Sequence, residues 1–307
     1  MLLLALEIPP DKSDQLFWTD FIELRALIHP DKCFSYGDLY SLQNRLRDTN
    51  VRTFSAEERW RDITSFANVR SHEFSGAYPF QVSEDGDTLA LTFDPEKKEQ
   101  VTYLNFLLAS LMRHIPSDCR ADLARYFEKA CFKIFQRLMP QGAETRATWA
   151  GGGEEAPYQG TLFEKMQLIA NDIRCKANFK ERDFKKNDRG DGGIDLISWH
   201  PMADSRKGIP IAFAQCGCSK NQWDFKQLEA SPAKHYPHFP VMHPWATYYF
   251  LPLDLRESDG GWAYESDIGQ AIFVDRLRLI RLADEYELHN ELPNLDLLDT
   301  VMDVVYN

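Results

Sequence analysis

The sequence predicts an α/β protein in which a sheet covered by helices follows a mainly helical N-terminal domain. Three observations support this prediction. Apolar residues of the first half recur at helical spacing, and the second half changes to short apolar segments typical of strands. Between the halves, residues 140–160 are rich in Gly and Pro, which is typical of a linker or flexible loop.

The N-terminal half contains four segments with helical spacing and one hairpin. The helical segments are 16–28, 40–46, 103–115 and 121–138. Residues 80–93 instead alternate apolar and polar side chains around the turn Glu84-Asp85-Gly86-Asp87. This pattern indicates a β-hairpin.

The second half begins with a predicted helix at 161–175, since Leu162, Met166, Ile169 and Ile173 share one helical face. The elements predicted after it are strands at 193–199 and 209–216, a helix near 222–228, a strand at 245–253, and at 271–280 a strand, with a helix as the alternative for this last element. We therefore expect a helical regulatory or recognition domain at 1–150, an α/β domain at 151–283 and an acidic tail at 284–307.

The composition is that of a globular protein, with 307 residues of which 44% are apolar. No apolar run reaches the roughly 20 residues that span a bilayer. The first ten residues lack a basic stretch and a small-residue cleavage pattern, so we interpret them as a buried segment and not a signal peptide. Six scattered cysteines fit a reducing compartment, and we expect a cytoplasmic protein without membrane contact.

The net charge of −12 is unfavourable for binding nucleic acid, but the charge is unevenly spread. Residues 174–189 hold seven basic side chains against three acidic ones. Residues 284–307 hold seven acids and no Lys or Arg. Local potential steers a ligand more than net charge does, so the basic segment is a candidate binding surface or, equally, a solvated loop.

Asp195 and Gln215 stand out because each is a polar residue at the end of an apolar predicted strand. Asp195 closes the run Gly190-Asp191-Gly192-Gly193-Ile194-Asp195, and Gln215 ends the next strand. Adjacent strands can bring the two side by side. Together with the backbone carbonyl of Cys216 they would offer three oxygen ligands to a hard cation. Such a cation polarises a phosphate and lowers the pKa of a bound water.

This text resembles the PD-(D/E)xK nuclease superfamily, especially its restriction-endonuclease-like and Mrr-like members. The family pattern has an acid on a preceding helix, an Asp on one strand, and Glu-x-Lys or Gln-x-Lys on the next. The resemblance, which covers about residues 161–223, implies a mixed sheet flanked by helices. It also implies that Glu164 is the helix acid, Asp195 the strand acid and Gln215 the first member of the last pair.

The family's lysine is missing, because position 217 is Gly. A lysine on a neighbouring helix replaces it in some members of the superfamily. The resemblance therefore makes Lys220 the first candidate and Lys226 the second. If neither reaches the site, the domain would bind nucleic acid without cutting it.

Several of these residues also have a structural interpretation. Glu164 follows Thr161 by three residues and would form a capping box. Asp191 fits turn chemistry before two glycines, and Gln215 could tie down a backbone group. The Cys216-x-Cys218 spacing is too tight for a usual zinc pair, even with Cys175 nearby. The sequence further contains three histidines expected in surface loops, His235, His238 and His243.

The resemblance implies a Mg²⁺- or Mn²⁺-dependent endonuclease that cuts double-stranded DNA, with prokaryotic defence against foreign DNA as its setting. The side chains expected to grip phosphates are Lys176, Lys180, Arg182, Lys185, Lys186 and Arg189. The alternatives are an inactive nucleic-acid binder on the same fold and an assembly subunit of a larger complex. A homodimer or a protein partner, docked on the N-terminal helices or the acidic tail, is a further expectation. No Gly-x-Ser-x-Gly elbow or phosphate-binding Gly-x4-Gly-Lys loop occurs.

Overall fold

The protein's structure, a computed structural model, describes residues 6, 9–10, 14–46, 55–149, 156–219 and 221–303. It divides into two compact units. Unit one comprises Met1–Tyr126, Pro252–Ala263 and Arg276–Asn307, and unit two comprises Phe127–Leu251 and Tyr264–Asp275. The glycine run at 151–153, and most of the first ten residues, lie outside the described residues.

The described residues form ten helices and eight strands. The helices are α1 Gln15–Ile28, α2 Tyr36–Leu46, α3 Ala56–Phe74, α4 Lys98–Ser110, α5 Arg120–Leu138, α6 Leu162–Asp172, α7 Trp223–Lys226, α8 Pro232–His235, α9 Arg276–Glu285 and α10 Leu297–Met302. The strands are β1 Cys33–Ser35, β2 Phe80–Val82, β3 Thr88–Leu91, β4 Glu144–Ala147, β5 Leu196–Trp199, β6 Ile211–Cys216, β7 Ala246–Phe250 and β8 Ile272–Val274.

Unit one is mainly helical and carries a small antiparallel sheet in the order β1-β3-β2. The predicted hairpin is confirmed, with Phe80 opposite Leu91. Gly86, in its turn, has a φ of 77°, a left-handed conformation that glycine adopts without strain. Helices α1, α4 and α10 contact one another.

A buried ionic network connects distant stretches of unit one. Arg70 binds Asp20 at 2.7 Å, Glu23 at 2.7 Å and Asp254 at 2.9 Å. Arg276 binds Asp20 at 2.6 Å. All of these side chains are almost fully excluded from solvent. Each buried carboxylate therefore has a guanidinium partner, as the cost of burying a charge requires.

Unit two is built on a mixed five-stranded sheet in the order β4-β5-β6-β7-β8. Strand β5 is antiparallel to both of its neighbours, β4 and β6. Strand β7 is parallel to both of its neighbours, β6 and β8. On one face, Met166 and Ile169 of α6 join a core with Ile197 and Phe213. Elsewhere Phe135 of α5 makes edge contacts with the rings of Tyr248 and Phe250. Helices therefore cover the sheet, as the sequence predicts.

Three expectations from the sequence need correction. The strand predicted at 271–280 is only Ile272–Val274, and Arg276–Glu285 forms helix α9. The stretch expected to be a linker contains strand β4, which pairs with β5. The domain boundaries also differ from the expected ones, since residues 127–150 belong to unit two and residues 276–307, including the expected tail, belong to unit one.

Candidate active site

Asp195, Gln215 and Tyr249 lie near the ends of neighbouring strands in the sheet of unit two. Strand β5 pairs with β6 as far as Leu196 and Ala214, and the backbone N–H of Asp195, just before β5, donates to the carbonyl oxygen of the same Ala214 at 2.9 Å. On the other side of β6, Gln215 pairs with Tyr249 in the parallel ladder. These residues stand where β6 and β7 end, and α/β sheets bind ligands at the carboxyl ends of their strands.

Asp195 is a buried carboxylate, with 6% of its surface exposed. Its Oδ2 accepts a hydrogen bond of 2.6 Å from the backbone N–H of Cys216. Burial raises the pKa of Asp195 well above its ordinary value, and the neighbouring carboxylates of Asp191, Glu128 and Glu229 raise it further. The Cys216 N–H acts in the opposite direction. Negative charge is thus concentrated around Asp195.

The side chain of Gln215 lies near the end of β6. It is buried, with 7% exposed, and its Oε1 has no hydrogen-bond partner among the described residues. Its Nε2 lies 3.5 Å from the carbonyl oxygen of Cys216, the outer limit for a hydrogen bond. Native proteins rarely leave a buried oxygen unpaired, so this atom is available to a ligand.

The loop before Asp195 is held by two lysines that sequence reasoning missed. Lys165 of α6 donates to the carbonyl oxygens of Arg189 at 2.8 Å and of Gly190 at 3.2 Å. Lys234 of α8 donates to the carbonyl oxygen of Gly192 at 2.9 Å. Asp191 accepts from the backbone N–H of Gly193 at 2.6 Å, which is the turn role expected for it.

Gly193 explains why the motif carries consecutive glycines. Its φ is 86°, in the left-handed region. A Cβ at this position would lie 2.7 Å from Cβ of Glu229 and 2.8 Å from Nζ of Lys234. The close approach of the segment that carries Glu229 and Lys234 therefore requires glycine here, and it brings that segment within two residues of Asp195.

Position 217 is filled by a neighbouring side chain. The hydroxyl of Tyr249 lies where a Cβ on Gly217 would begin, and its Cζ is 2.9 Å from that point. This hydroxyl is buried and has no hydrogen-bond partner among the described residues. Burial raises the pKa of Tyr249 well above its usual range. The charges of four neighbouring residues raise it further: Cys218, Cys216, Glu229 and Asp195. A lysine at 217 could not be accommodated without moving Tyr249.

The two candidate replacement lysines have different standing. Lys220 lies outside the described residues. Lys226 ends the short helix α7, and its charge lowers the pKa of the Cys218 thiol, which burial raises. Lys234 is a third candidate, with its Nζ beside the loop that precedes Asp195.

Glu164 has a different role from the one the resemblance implies. Its side chain is exposed, and its Oε2 accepts from the backbone N–H of Thr161 at 2.7 Å, while Thr161 caps α6 in return. The capping interpretation is thus the one that the structure supports. Glu128, on α5, is the helix acid whose charge acts on Asp195, Cys216 and Cys218.

The basic segment lies on the surface of unit two. The six side chains predicted to grip phosphates are all exposed: Lys176, Lys180, Arg182, Lys185, Lys186 and Arg189. Arg174 instead anchors a neighbouring loop, donating to the carbonyl oxygens of Pro201 at 3.0 Å and Arg206 at 2.9 Å. Phe179 and Phe184 meet edge to face with ring centroids 5.3 Å apart, an aromatic contact that holds the segment from inside.

Unit two is also less acidic than the whole chain. It contains 17 Asp and Glu and 17 Lys and Arg, so its formal charge is zero. Unit one contains 30 acidic and 18 basic residues and therefore holds the whole net charge of −12. The acidity of the chain is thus no obstacle to phosphate binding by unit two.

The donor set around Asp195 suits a hard cation better than zinc. Within the described ranges, no group of three His, Cys, Asp or Glu side chains is arranged to hold a metal. The candidate set is of another kind, because it combines one carboxylate with an amide oxygen and a backbone carbonyl. These neutral and anionic oxygens fit Mg²⁺, which keeps several waters and needs few protein ligands.

The cysteines and histidines do not form a second metal site within the described residues. Burial raises the pKa of Cys131, Cys216 and Cys218, which disfavours the thiolate that zinc requires. His243 is exposed as expected, but His235 is buried, with its Nε2 2.7 Å from the Glu229 carbonyl oxygen. The expectation that this histidine lies in a surface loop is therefore wrong.

Comparison with protein-family models, curated proteins and solved structures found no match to this chain. Of the helices described, none has the length and apolar character needed to cross a membrane. The candidate site therefore stands on its own geometry.

Proposed function

We propose that unit two is a metal-dependent endonuclease domain that hydrolyses DNA phosphodiester bonds with Mg²⁺ or Mn²⁺. One observation carries the proposal. Asp195 is buried, the carboxylates of Asp191, Glu128 and Glu229 further disfavour its ionised form, and no ion pair among the described residues joins it to a cationic side chain. The Oε1 of Gln215, near the end of β6, is a second buried oxygen without a hydrogen-bond partner among these residues. A bound cation would stabilise the ionised carboxylate and supply the missing partner.

In this proposal Asp195, Gln215 and the Cys216 carbonyl hold the cation, with Glu128 approaching from α5. Bound there, the cation would polarise a phosphate oxygen and lower the pKa of a water. Lys165 and Lys234 keep the loop of Asp191 in place, which fixes the position of the Asp195 carboxylate. Such restraint matters because a displaced ligand costs catalytic rate.

The substrate side of the proposal rests on the six exposed cations of the basic segment. This segment leads directly into the loop of Asp195, so phosphates held by Lys185 and Lys186 would lie along the approach to the site. Duplex DNA, a protein partner or homodimer, and a role in prokaryotic defence remain predictions from the resemblance. The mixed sheet of unit two is compatible with them.

A second candidate, a nucleic-acid binder without catalysis, is favoured by one observation. Tyr249 fills the space at position 217 where the family places its lysine. The nuclease proposal therefore requires another lysine, either Lys226, Lys234 or Lys220. Single substitutions of these three to Ala in the cleavage assay would identify which one serves.

The first test is plasmid nicking with Mg²⁺ or Mn²⁺ against EDTA, using the full chain. We expect cleavage by the wild type, its loss in Asp195→Asn and Glu128→Gln, and no change in the matched control Glu164→Gln. Calorimetric titration should show that Mn²⁺ binding is likewise lost in Asp195→Asn and Glu128→Gln and kept in Glu164→Gln, independently of cleavage. A wild type that binds Mn²⁺ and DNA but never cuts would favour the binder. Metal binding that survives Asp195→Asn would refute the site.

The DNA-binding surface has its own test. Lys185→Ala combined with Lys186→Ala should weaken duplex binding and reduce the slope of log K against log salt by about 0.9 for each phosphate that the variant no longer neutralises. The matched control is the exposed pair Lys97→Ala and Lys98→Ala in unit one. Equal effects of both pairs would show that the basic segment is not the DNA-binding surface.

A further inference from the structure

An exposed aromatic side chain stands beside the candidate site. Phe225, on α7, has 74% of its surface exposed, and Leu228, three residues on, has 40%. The backbone N–H of Leu228 donates to the carbonyl oxygen of Phe225 at 3.1 Å, so the two exposed side chains belong to one tight turn, here called the apolar patch. An exposed phenylalanine of this degree requires an explanation, because burying its ring would be favourable.

The turn that carries Phe225 is firmly anchored on its inner side. Trp223 is buried and meets the ring of Phe273 at 5.7 Å. Gln227 is also buried, and its amide donates to the carbonyl oxygens of Asp224 at 2.8 Å and Asp267 at 2.6 Å. The exposure of Phe225 is thus a property of a well-fixed turn.

The same turn leads into the candidate site. The backbone N–H of Glu229 donates to the carbonyl oxygen of Lys226 at 3.0 Å, and Cβ of Glu229 lies 2.7 Å from the place of a Cβ on Gly193, two residues before Asp195. The turn that carries Phe225 and Leu228 therefore borders the loop of Asp195, with the cation of Lys226 between them in sequence.

We propose that Phe225 stacks on an unpaired base of the nucleic acid that binds at Asp195, so that the substrate is single-stranded or locally unpaired. Base stacking on aromatic side chains beside backbone-tracking cations is how proteins hold single strands. Lys226 and the exposed basic segment supply such cations. This inference rests on the proposed function, since it names the substrate class of that site.

A protein partner fits this patch less well. Phe225 and Leu228 offer on the order of 200 Å² of apolar surface, against about 800 Å² per partner in a stable protein interface. The cation beside the ring also matches a phosphate backbone better than an apolar surface. Docking of a protein is accordingly an alternative that the experiment must separate.

The test measures the affinity of the full chain for a fluorescent 20-nucleotide single strand and for the corresponding blunt duplex, with Ca²⁺ in place of Mg²⁺. The variants are Phe225→Ala, Phe225→Leu and Phe225→Trp. The matched control is Met242→Ala, since Met242 is 75% exposed in the same unit. Phe225→Ala should weaken single-strand binding about tenfold, as expected when one base loses its stacking partner. Phe225→Trp should keep the affinity, Phe225→Leu should not, and the control should match the wild type.

The inference is overturned if Phe225→Ala binds the single strand as tightly as the wild type does, or if Phe225→Leu keeps that affinity. It is also overturned if Phe225→Ala loses as much affinity for the blunt duplex, or if the wild type binds neither probe. Asp195→Asn separates this outcome from failure of the nuclease proposal. If the wild type never cuts but binds single strands through Phe225, the nuclease proposal fails and the stacking role stands. If cleavage requires Asp195 while Phe225→Ala changes nothing, only the stacking role is lost.

Discussion

His235 should make the stability of unit two depend on pH between 4 and 6.5. Only 2% of its surface is exposed, and burial lowers its pKa from 6.5 to about 4, although a hydrogen bond to the Glu229 carbonyl acts in the opposite direction. The Nδ1 atom has no partner among the described residues. The folded state therefore prefers the neutral ring, whereas the unfolded chain takes up a proton near pH 6.5.

The size of the effect follows from proton linkage. Because the unfolded state binds more protons between pH 4 and 6.5, stability rises with pH across this window and is fully present above it. One pKa unit corresponds to 1.36 kcal/mol, so the whole loss below pH 4 is about 3 kcal/mol. At pH 5, where the unfolded ring is protonated and the folded one is not, the loss is about 2 kcal/mol.

The assay is urea denaturation at pH 7 and pH 5, followed by tryptophan fluorescence. The comparison is wild type against His235→Gln, in which the side chain has no charge to gain, with the exposed His243→Gln as the matched control. Relative to His235→Gln, the wild type should lose about 2 kcal/mol between the two pH values. Parallel pH profiles of wild type and His235→Gln would refute the buried neutral ring.

Three further predictions follow from the loop, the cap and the unpaired hydroxyl. Gly193→Ala should destabilise unit two by about 2–5 kcal/mol, because left-handed strain adds to a collision with Cβ of Glu229; a normal urea midpoint would contradict the geometry. Glu164→Ala should slightly lower the melting temperature, since the cap of Thr161 is lost, without affecting Mn²⁺ binding; weaker Mn²⁺ binding would restore the ligand role. Tyr249→Phe should stabilise the protein by about 1–2 kcal/mol, as it removes a buried hydroxyl without a partner among the described residues; destabilisation would indicate that the hydroxyl is bonded.

The central strands of unit two could be predicted because their signal is local. An apolar segment that begins after a Gly-rich turn indicated β5, and the apolar run ending at Gln215 indicated β6. Their adjacency follows from a short connection, so the position of Asp195 next to the end of β6 could also be expected. The partners of Asp195 could not, because Glu128 and Glu229 come from segments distant in sequence, and no periodicity links them to the site.

The error at 271–280 has a different cause. In Arg276-Leu277-Arg278-Leu279 polar and apolar residues alternate, which is the period of a strand. Arg276 is buried, however, and its charge is neutralised by Asp20. A buried arginine behaves as a core residue, so the buried face of α9 includes a position that its sequence marks as exposed. Helix α3 was not among the predicted helices, although the capping box of Ser55 and Glu58 is a signal that could have found it.

Buried acids occur in both units, but their surroundings differ. In unit one, Asp20 binds Arg70 and Arg276 at distances of 2.6–2.7 Å, so its charge is neutralised within the fold. In unit two, the Asp195 carboxylate accepts a hydrogen bond from a backbone N–H, and the nearest charges that act on it are carboxylates. The first arrangement stabilises a fold. The second disfavours the folded state. Proteins retain such an arrangement where a bound ligand offsets it, and we therefore place the cation at Asp195.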